Sequence, residues 1–312
     1  MLSVVILLVS LVGVLAGADL IVNGAVRIAR SLNVSEAFIG LTVLSVGTSL
    51  PEIFTHIMSS IEVLRGQTAA AGISIGTNVG SNVIQITLIL GLVGIFSRLR
   101  SDHLTLRRDY VVMLGGILLL FLLGLNGFIG RIEGVVLALL YIAYLIYLGK
   151  NEKVVEHNRY KTNYLWDGTI LVIGFVLLLF CADLVVDEAL LVASDLGVAT
   201  TFIGTMIIGV ATALPELTTS IMALVKRSAD LSLGTLIGSN ITNPMLALGI
   251  GAAISGYEIS RSVLFFDIPF WFIVSLIGLA FFWKKMELRH WQAGVMVAFY
   301  GVFAFFQILS LT

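Results

Sequence analysis

The feature that most constrains this chain is a succession of ten apolar runs. Each is close to or above the roughly 20 residues that a helix needs to cross the hydrocarbon core of a bilayer. They fall at residues 2–26, 38–63, 69–96, 109–125, 130–148, 165–190, 200–225, 230–255, 263–282 and 290–310. Composition agrees: hydrophobic residues make up 58% of 312, charged residues 12%, and the mean hydropathy is +1.05. Such a chain is a polytopic membrane protein rather than a soluble domain. The runs lack polar/apolar alternation at period two, which excludes a closed β-barrel. The first run has no basic start and contains Asp19, so it reads as a helix and not as a signal peptide. The expected fold is an all-α polytopic membrane protein with ten transmembrane helices.

Assigning loops alternately to two sides puts fifteen of the 18 Lys and Arg residues on one side and only Arg65, Arg131 and Arg261 on the other. The rich side is cytoplasmic by the positive-inside rule. The protein is therefore expected in the cell membrane, multi-pass, with both termini extracellular and the linker 150–164 cytoplasmic. The single cysteine, Cys181, lies within an apolar run, so neither a disulfide framework nor a cysteine metal site is expected. A net charge of -1 gives no reason to expect nucleic acid.

The sequence repeats itself. Phe38 to Thr55 reads FIGLTVLSVGTSLPEIFT, and Phe202 to Thr219 reads FIGTMIIGVATALPELTT, 164 residues later. A second motif, GTNVGSNVIQ at Gly76 to Gln85, returns as GTLIGSNITN at Gly234 to Asn243 with an offset of 158. The halves are residues 1–149 and 165–312, with five helices each, joined by the linker 150–164. Because five is odd, the second half enters the membrane from the opposite side. That makes an inverted-topology repeat, an architecture of secondary transporters with a midplane site between the halves.

The first motif places a proline and a glutamate inside an apolar span. Pro51 and Pro215 lack an amide hydrogen, so each helix is expected to kink and release carbonyls about four residues earlier. The Ser45 and Gly209 carbonyls are candidates. Thr48, Ser49 and Glu52 add side-chain oxygens on one helical face, and Thr212 and Glu216 do so in the second half. In the second motif Asn78, Ser81, Asn82 and Gln85 form one polar stripe, repeated by Ser239, Asn240 and Asn243. An oxygen-rich set without nitrogen or sulfur suits hard cations such as Ca²⁺ and Na⁺.

Each signal has a structural alternative. An intramembrane carboxylate is functional by default, and Glu52 and Glu216 have no visible basic partner. Asp19 and Asp183 are also matched, but capping or interfacial solvation accounts for them, and Asp267 reads as interfacial. His56, one turn after Glu52, is either a proton relay or a hydrogen-bonded interface residue. The Asn, Gln and Ser residues can simply join helices, and Gly76, Gly80, Gly234 and Gly238 suit close helix packing.

GTSLPE at Gly47 to Glu52, ATALPE at Ala211 to Glu216, and GSN at Gly80 to Asn82 and Gly238 to Asn240 resemble the two alpha-repeats of the cation/calcium antiporter superfamily. The likeness is closest to ten-helix prokaryotic sodium/calcium exchangers. The resemblance implies a core of the second, third, seventh and eighth helices around the ions, with the first and sixth sliding across it in alternating access. It implies electrogenic exchange of several Na⁺ for one Ca²⁺. The ion-binding roles then fall on Thr48, Ser49, Glu52, Ser81, Thr212, Glu216 and Ser239, with the Ser45 and Gly209 carbonyls. Three departures stand out: Ala213 where the family has a second serine, Gln85 where an asparagine is common, and Asn243 where the potassium-dependent branch has an aspartate.

The metal-site candidates are thus Glu52, Glu216, Thr48, Ser49, Thr212, Ser81, Ser239, Ser45, Gly209, Gln85, Asn243 and Asn78. No cofactor is expected; Ca²⁺ and Na⁺ are cargo. H⁺ is expected to compete, since a carboxylate stripped of its cation in a low dielectric tends to neutralise. The unit is expected to work in the bilayer as a monomer. The main rival reading is a Ca²⁺/H⁺ antiporter, whose members typically lack a proline before the glutamate. An intramembrane enzyme is a distant alternative, because no HExxH, nucleophile-base set or phosphate loop occurs. A passive channel suits an inverted repeat with one central site less well.

Overall fold

The structure, a computed structural model, describes residues 2–97, 99–100, 105–152, 164–195, 213–283 and 285–309. Helices occupy nearly all of them. In order they are α1 (Leu2–Leu32), α2 (Glu36–Thr48), α3 (Leu50–Leu64), α4 (Ala69–Phe96), α5 (Tyr110–Leu123), α6 (Arg131–Asn151), α7 (Tyr164–Asp195), α8 (Leu214–Val225), α9 (Ala229–Ser255), α10 (Val263–Trp283) and α11 (His290–Leu309). Seven described helices are long and apolar enough to cross a membrane, or eight if the bent pair α2 and α3 is one span. The predicted run 109–125 falls short because α5 is only 14 residues and is preceded by a turn carrying Arg107, Arg108 and Asp109. Of the predicted run 200–225, the one described helix is α8, 12 residues long.

The prolines act more sharply than a kink. Pro51 stands in the first turn of α3 and Pro215 in the first turn of α8, where a missing N–H costs nothing. Residues ahead of them, Ser49 (φ -83, ψ 4) and Ala213 (φ -93, ψ 6), share one non-helical backbone state. The α2 and α3 axes differ by 43° across the break. Each glutamate consequently sits in the first turn of a new helix, where the backbone dipole favours an anion.

The two halves correspond in detail. π-helical turns at Gln85–Ile89 and Thr105–Asp109 recur at Asn243–Ala247 and Val263–Asp267, each 158 residues later. Two short antiparallel pairs tie the halves crosswise: β1 (Leu99–Arg100) with β4 (Glu287–Leu288), and β2 (Phe128–Ile129) with β3 (Tyr257–Glu258). Leu99 faces Leu288, and Tyr257, 158 residues after Leu99, faces Ile129. Helix contacts follow suit. A Cβ on Gly91 of α4 would lie 2.8 Å from the Ala293 carbonyl of α11, and one on Gly249 of α9 would lie 3.1 Å from the Gly134 carbonyl of α6.

α4, α5, α9 and α10 share one large apolar core that includes Ile86, Ile117, Ile237 and Val274. α1 lies along α7 in a separate cluster with Ala18, Ile21, Leu171 and Leu178. α9 is buried almost throughout and passes against α2. There a Cβ on Gly234 would sit 2.5 Å from the Ala37 carbonyl and one on Gly238 would sit 2.6 Å from Ser45, so glycine is what permits this approach. The expected role of these two glycines in close helix packing is what the structure contains.

Candidate cation site

The close approach of α2 and α9 sets the two motifs side by side. Thr48 and Ser239 share a hydrogen bond at 3.4 Å, and Thr242 donates to Ser45 Oγ at 3.4 Å. Glu52 Oε1 accepts from Ser81 of α4 at 3.4 Å. Glu216 lies near enough to Glu52, Thr48 and Ser239 to feel them electrostatically. Neither hydroxyl meets hydrogen-bond geometry toward it, and among the described residues both Glu216 oxygens are unpartnered.

Thr48, Ser49, Glu216, Ser239, Gln85 and Asn243 are fully buried, and Glu52 is 6% exposed. Several buried oxygens of these residues have no partner among the described residues: Ser49 Oγ, Glu52 Oε2, both oxygens of Glu216 and Asn243 Oδ1. A buried polar atom left unpaired is costly, and several on contacting segments mark a place made for a ligand. The donor set is oxygen from carboxylate, hydroxyl and amide, suited to a hard cation. Among the described residues no three His, Cys, Asp or Glu side chains cluster, so any cation held here needs the hydroxyl and amide oxygens.

Two amide candidates differ. Gln85 Oε1 is taken by Asn240 Nδ2 at 2.9 Å, and Gln85 Nε2 donates to Ser81 Oγ at 3.3 Å. Asn243 instead donates its Nδ2 to Asn82 Oδ1 at 3.2 Å, and its oxygen has no partner among the described residues. Asn78 points its Nδ2 at the Asn243 carbonyl, 3.2 Å away, and at His56 Nε2, 3.0 Å away. The Ser45 carbonyl is not simply released by Pro51, since it accepts the Ser49 amide at 3.1 Å. The carbonyl four residues before Pro51 belongs to Gly47; the Ser45 carbonyl also takes a longer bond from Thr48 Oγ1 at 3.4 Å. Thr212 and Gly209 lie outside the described residues.

His56 is hydrogen-bonded into the helix interface. The Asn78 nitrogen that meets the Asn243 carbonyl must be a donor, so His56 Nε2 accepts and Nδ1–H faces Ser74 Oγ at 2.8 Å. Tyr257 OH donates to the His56 carbonyl at 2.7 Å. A narrow cleft of about 40 Å³ between α3 and α4, lined by Pro51, Glu52, Thr55, His56, Ser74, Thr77 and Asn78, reaches Glu52. Asp267 is buried and accepts from Gln307 of α11 at 2.6 Å. Asp19 pairs with Lys226 at 2.6 Å.

Sequence reading missed Trp271, whose indole Nε1 donates to Asn240 Oδ1 at 2.9 Å, and the Ser60, Ser74 and Tyr257 hydroxyls around His56. An indole in the middle of an apolar helix was the available signal, since a buried Trp N–H needs an acceptor.

The profile of the family described as sodium/calcium exchanger protein matches residues 2–150 and 167–309. Sodium/calcium exchanger MaX1 of Methanosarcina acetivorans is 32% identical, with 96% of each chain covered. An uncharacterized membrane protein of Methanocaldococcus jannaschii, MJ0091, is 36% identical over 91% of each. Among solved structures, the sodium-calcium exchanger NCX_Mj soaked with 2.5 mM Na⁺ and 0.1 mM Ca²⁺ superposes with a TM-score of 0.83 at 34% identity, covering 97% of both chains. The same exchanger soaked with zero Na⁺ and Ca²⁺ gives 0.85 at 33% identity, covering 96% of this chain and 97% of that one. With a profile that takes in both glutamate motifs and relatives matched from end to end, the chain belongs to the sodium/calcium exchanger protein family.

Proposed function

We propose that this protein exchanges Na⁺ for Ca²⁺ across the membrane by alternating access, with the cations held between Glu52 and Glu216. The observation that carries the reading is the pair of buried glutamates, each opening a helix after a matched proline break, with three of their four oxygens unpartnered among the described residues. Two carboxylates neutralise one Ca²⁺ or two Na⁺, which gives the two cargoes a common site and makes them compete. Ser49, Thr48, Ser81, Ser239 and Asn243 supply neutral oxygens, with Thr212 and the Ser45 and Gly209 carbonyls completing the set. Gln85 and Asn78 line it. Ala213 contributes none, so the Na⁺ position beside it is weak or missing.

The ten-helix inverted repeat is supported by correspondences that a shared ancestry of the halves explains. π-helical turns recur at one offset, and each crosswise strand pair is the image of the other. In this arrangement 1–149 and 165–312 are the repeats, 150–164 is the cytoplasmic linker, and both termini are extracellular. The cleft beside His56 then opens toward the extracellular side and is the cation entrance. One chain holds every proposed ligand, so a monomer suffices; H⁺ competes at the glutamates when cations leave.

The test is Ca²⁺ uptake into sealed vesicles containing the purified protein, driven by an outward Na⁺ gradient with the pH gradient collapsed. Uptake that vanishes without Na⁺ is expected. Uptake indifferent to Na⁺ would sink the proposal.

A further inference from the structure

One set of polar groups around Glu52 forms a chain with a single direction. It starts at Trp271 of α10, fully buried, whose indole carries one polar atom, an N–H that only donates. That N–H reaches Asn240 Oδ1 at 2.9 Å. The amide orientation of Asn240 is fixed a second way, because its Nδ2 also donates to the Leu236 carbonyl, an acceptor only, at 2.9 Å. The same Nδ2 donates to Gln85 Oε1 at 2.9 Å, so Gln85 turns its NH₂ toward Ser81 Oγ at 3.3 Å. Ser81 in turn donates to Glu52 Oε1 at 3.4 Å. With a donor-only group at one end, and Glu52 in its ionised, cation-binding form at the other, no link is reversible without breaking its neighbour. The last two bonds are long, so what they supply is orientation more than strength.

The second repeat motif offers an internal control. Asn82 precedes Asn240 by 158 residues, and Asn243 follows Gln85 by 158. There the direction is opposite: Asn82 Nδ2 donates to the Asn78 carbonyl at 2.9 Å, its Oδ1 accepts from Asn243, and the Asn243 oxygen stays unpartnered. The position 158 before Trp271 is Met113, buried and without an N–H to impose a direction.

We propose that Trp271 is a positioning residue for exchange: through Asn240, Gln85 and Ser81 it orients the Glu52 carboxylate and withholds the Gln85 oxygen from the cations. The amide oxygen at the site then comes from Asn243 alone. This rests on the reading of Glu52 as a cation ligand.

The experiment measures Na⁺-dependent Ca²⁺ uptake by the reconstituted full chain with Trp271→Phe, Gln85→Met, the double variant and Glu52→Gln. Trp271→Phe keeps a ring in place and removes the N–H. It is expected to raise the half-saturating Ca²⁺ concentration about fivefold, the scale of one buried hydrogen bond, with less effect on maximal rate. Gln85→Met is expected to do the same, and the double variant no more than Gln85→Met alone, which a general packing defect would not reproduce. Unchanged half-saturation in Trp271→Phe, or effects that multiply in the double variant, overturns the inference. Loss of uptake in Glu52→Gln with wild-type behaviour of Trp271→Phe leaves the site reading standing and removes only the relay. Normal uptake in Glu52→Gln removes the site reading itself. Should Trp271→Phe not fold, the wild-type indole N–H resonance of Trp271 takes its place: it is expected to shift on Ca²⁺ saturation and not to shift in Gln85→Met, and a resonance indifferent to Ca²⁺ in the wild type overturns the proposal.

Discussion

Glu52 and Glu216 occupy matching places in two matching half-helices, yet their surroundings differ. Glu52 receives the Ser81 hydroxyl, itself the end of a hydrogen-bonded chain from α10. Glu216 has no such partner among the described residues, and the two hydroxyls beside it, Thr48 and Ser239, are engaged with each other. The flanking residues diverge too: Ser49 presents a buried hydroxyl with no partner among the described residues where Ala213 presents a methyl. The lesson is that a repeated backbone sets out two equivalent carboxylates, while neighbours from other helices decide which is tethered and which is left unpartnered among the described residues.

The largest effect expected tests what the two share. Glu52→Gln or Glu216→Gln should each abolish Ca²⁺ uptake. Removing one of two charges facing a divalent cation costs on the order of 3 kcal/mol or more, about 100-fold in binding. Normal uptake by either variant breaks the equivalence. The next tests what they do not share. Glu52→Asp draws the carboxylate away from Ser81 and should raise half-saturating Ca²⁺ by about tenfold, whereas untethered Glu216→Asp should cost only about a third of that. Equal losses in the same uptake assay would mean that the tether contributes nothing.

Outside the site the halves are expected to behave alike. Gly134→Ala, whose Cβ would meet the Gly249 carbonyl at 2.7 Å, and Gly91→Ala, whose Cβ would meet the Ala293 carbonyl at 2.8 Å, both overpack a helix contact. Each should destabilise by about 1–3 kcal/mol, read as a lowered melting temperature in detergent. A loss confined to one would show that the corresponding contacts carry unequal weight. The smallest expected effect is that of Ala213→Ser, which restores the missing hydroxyl and should change Na⁺ affinity by about threefold or alter its Hill coefficient, in line with one added neutral oxygen ligand. Identical Na⁺ dependence in wild type and variant would remove Ala213 as a source of asymmetry.

Much of this was legible in the residues. Pro51 and Pro215 announced breaks; the α2–α3 break falls directly before Pro51, and α8 opens with Pro215 in its first turn. Hydroxyl and amide spacing put Ser81 and Ser239 near the glutamates. Amide direction was not legible: Gln85 and Asn243 hold equivalent places, and which atom each presents depends on Trp271, Asn240 and Asn82. Nor was the Ser45 carbonyl, which keeps a helical bond because the break comes four residues later. The burial of Asp267 escaped notice because its partner, Gln307, lies 40 residues away.

By itself the sequence determined the membrane as solvent, the repeat, and the two carboxylates that open half-helices. These follow from apolar length, offset and the chemistry of proline, all local properties of the chain. Only the tertiary structure decided which oxygens remain free. A side-chain amide offers a donor and an acceptor of nearly equal shape, and the choice between them is made by partners on helices far away in sequence.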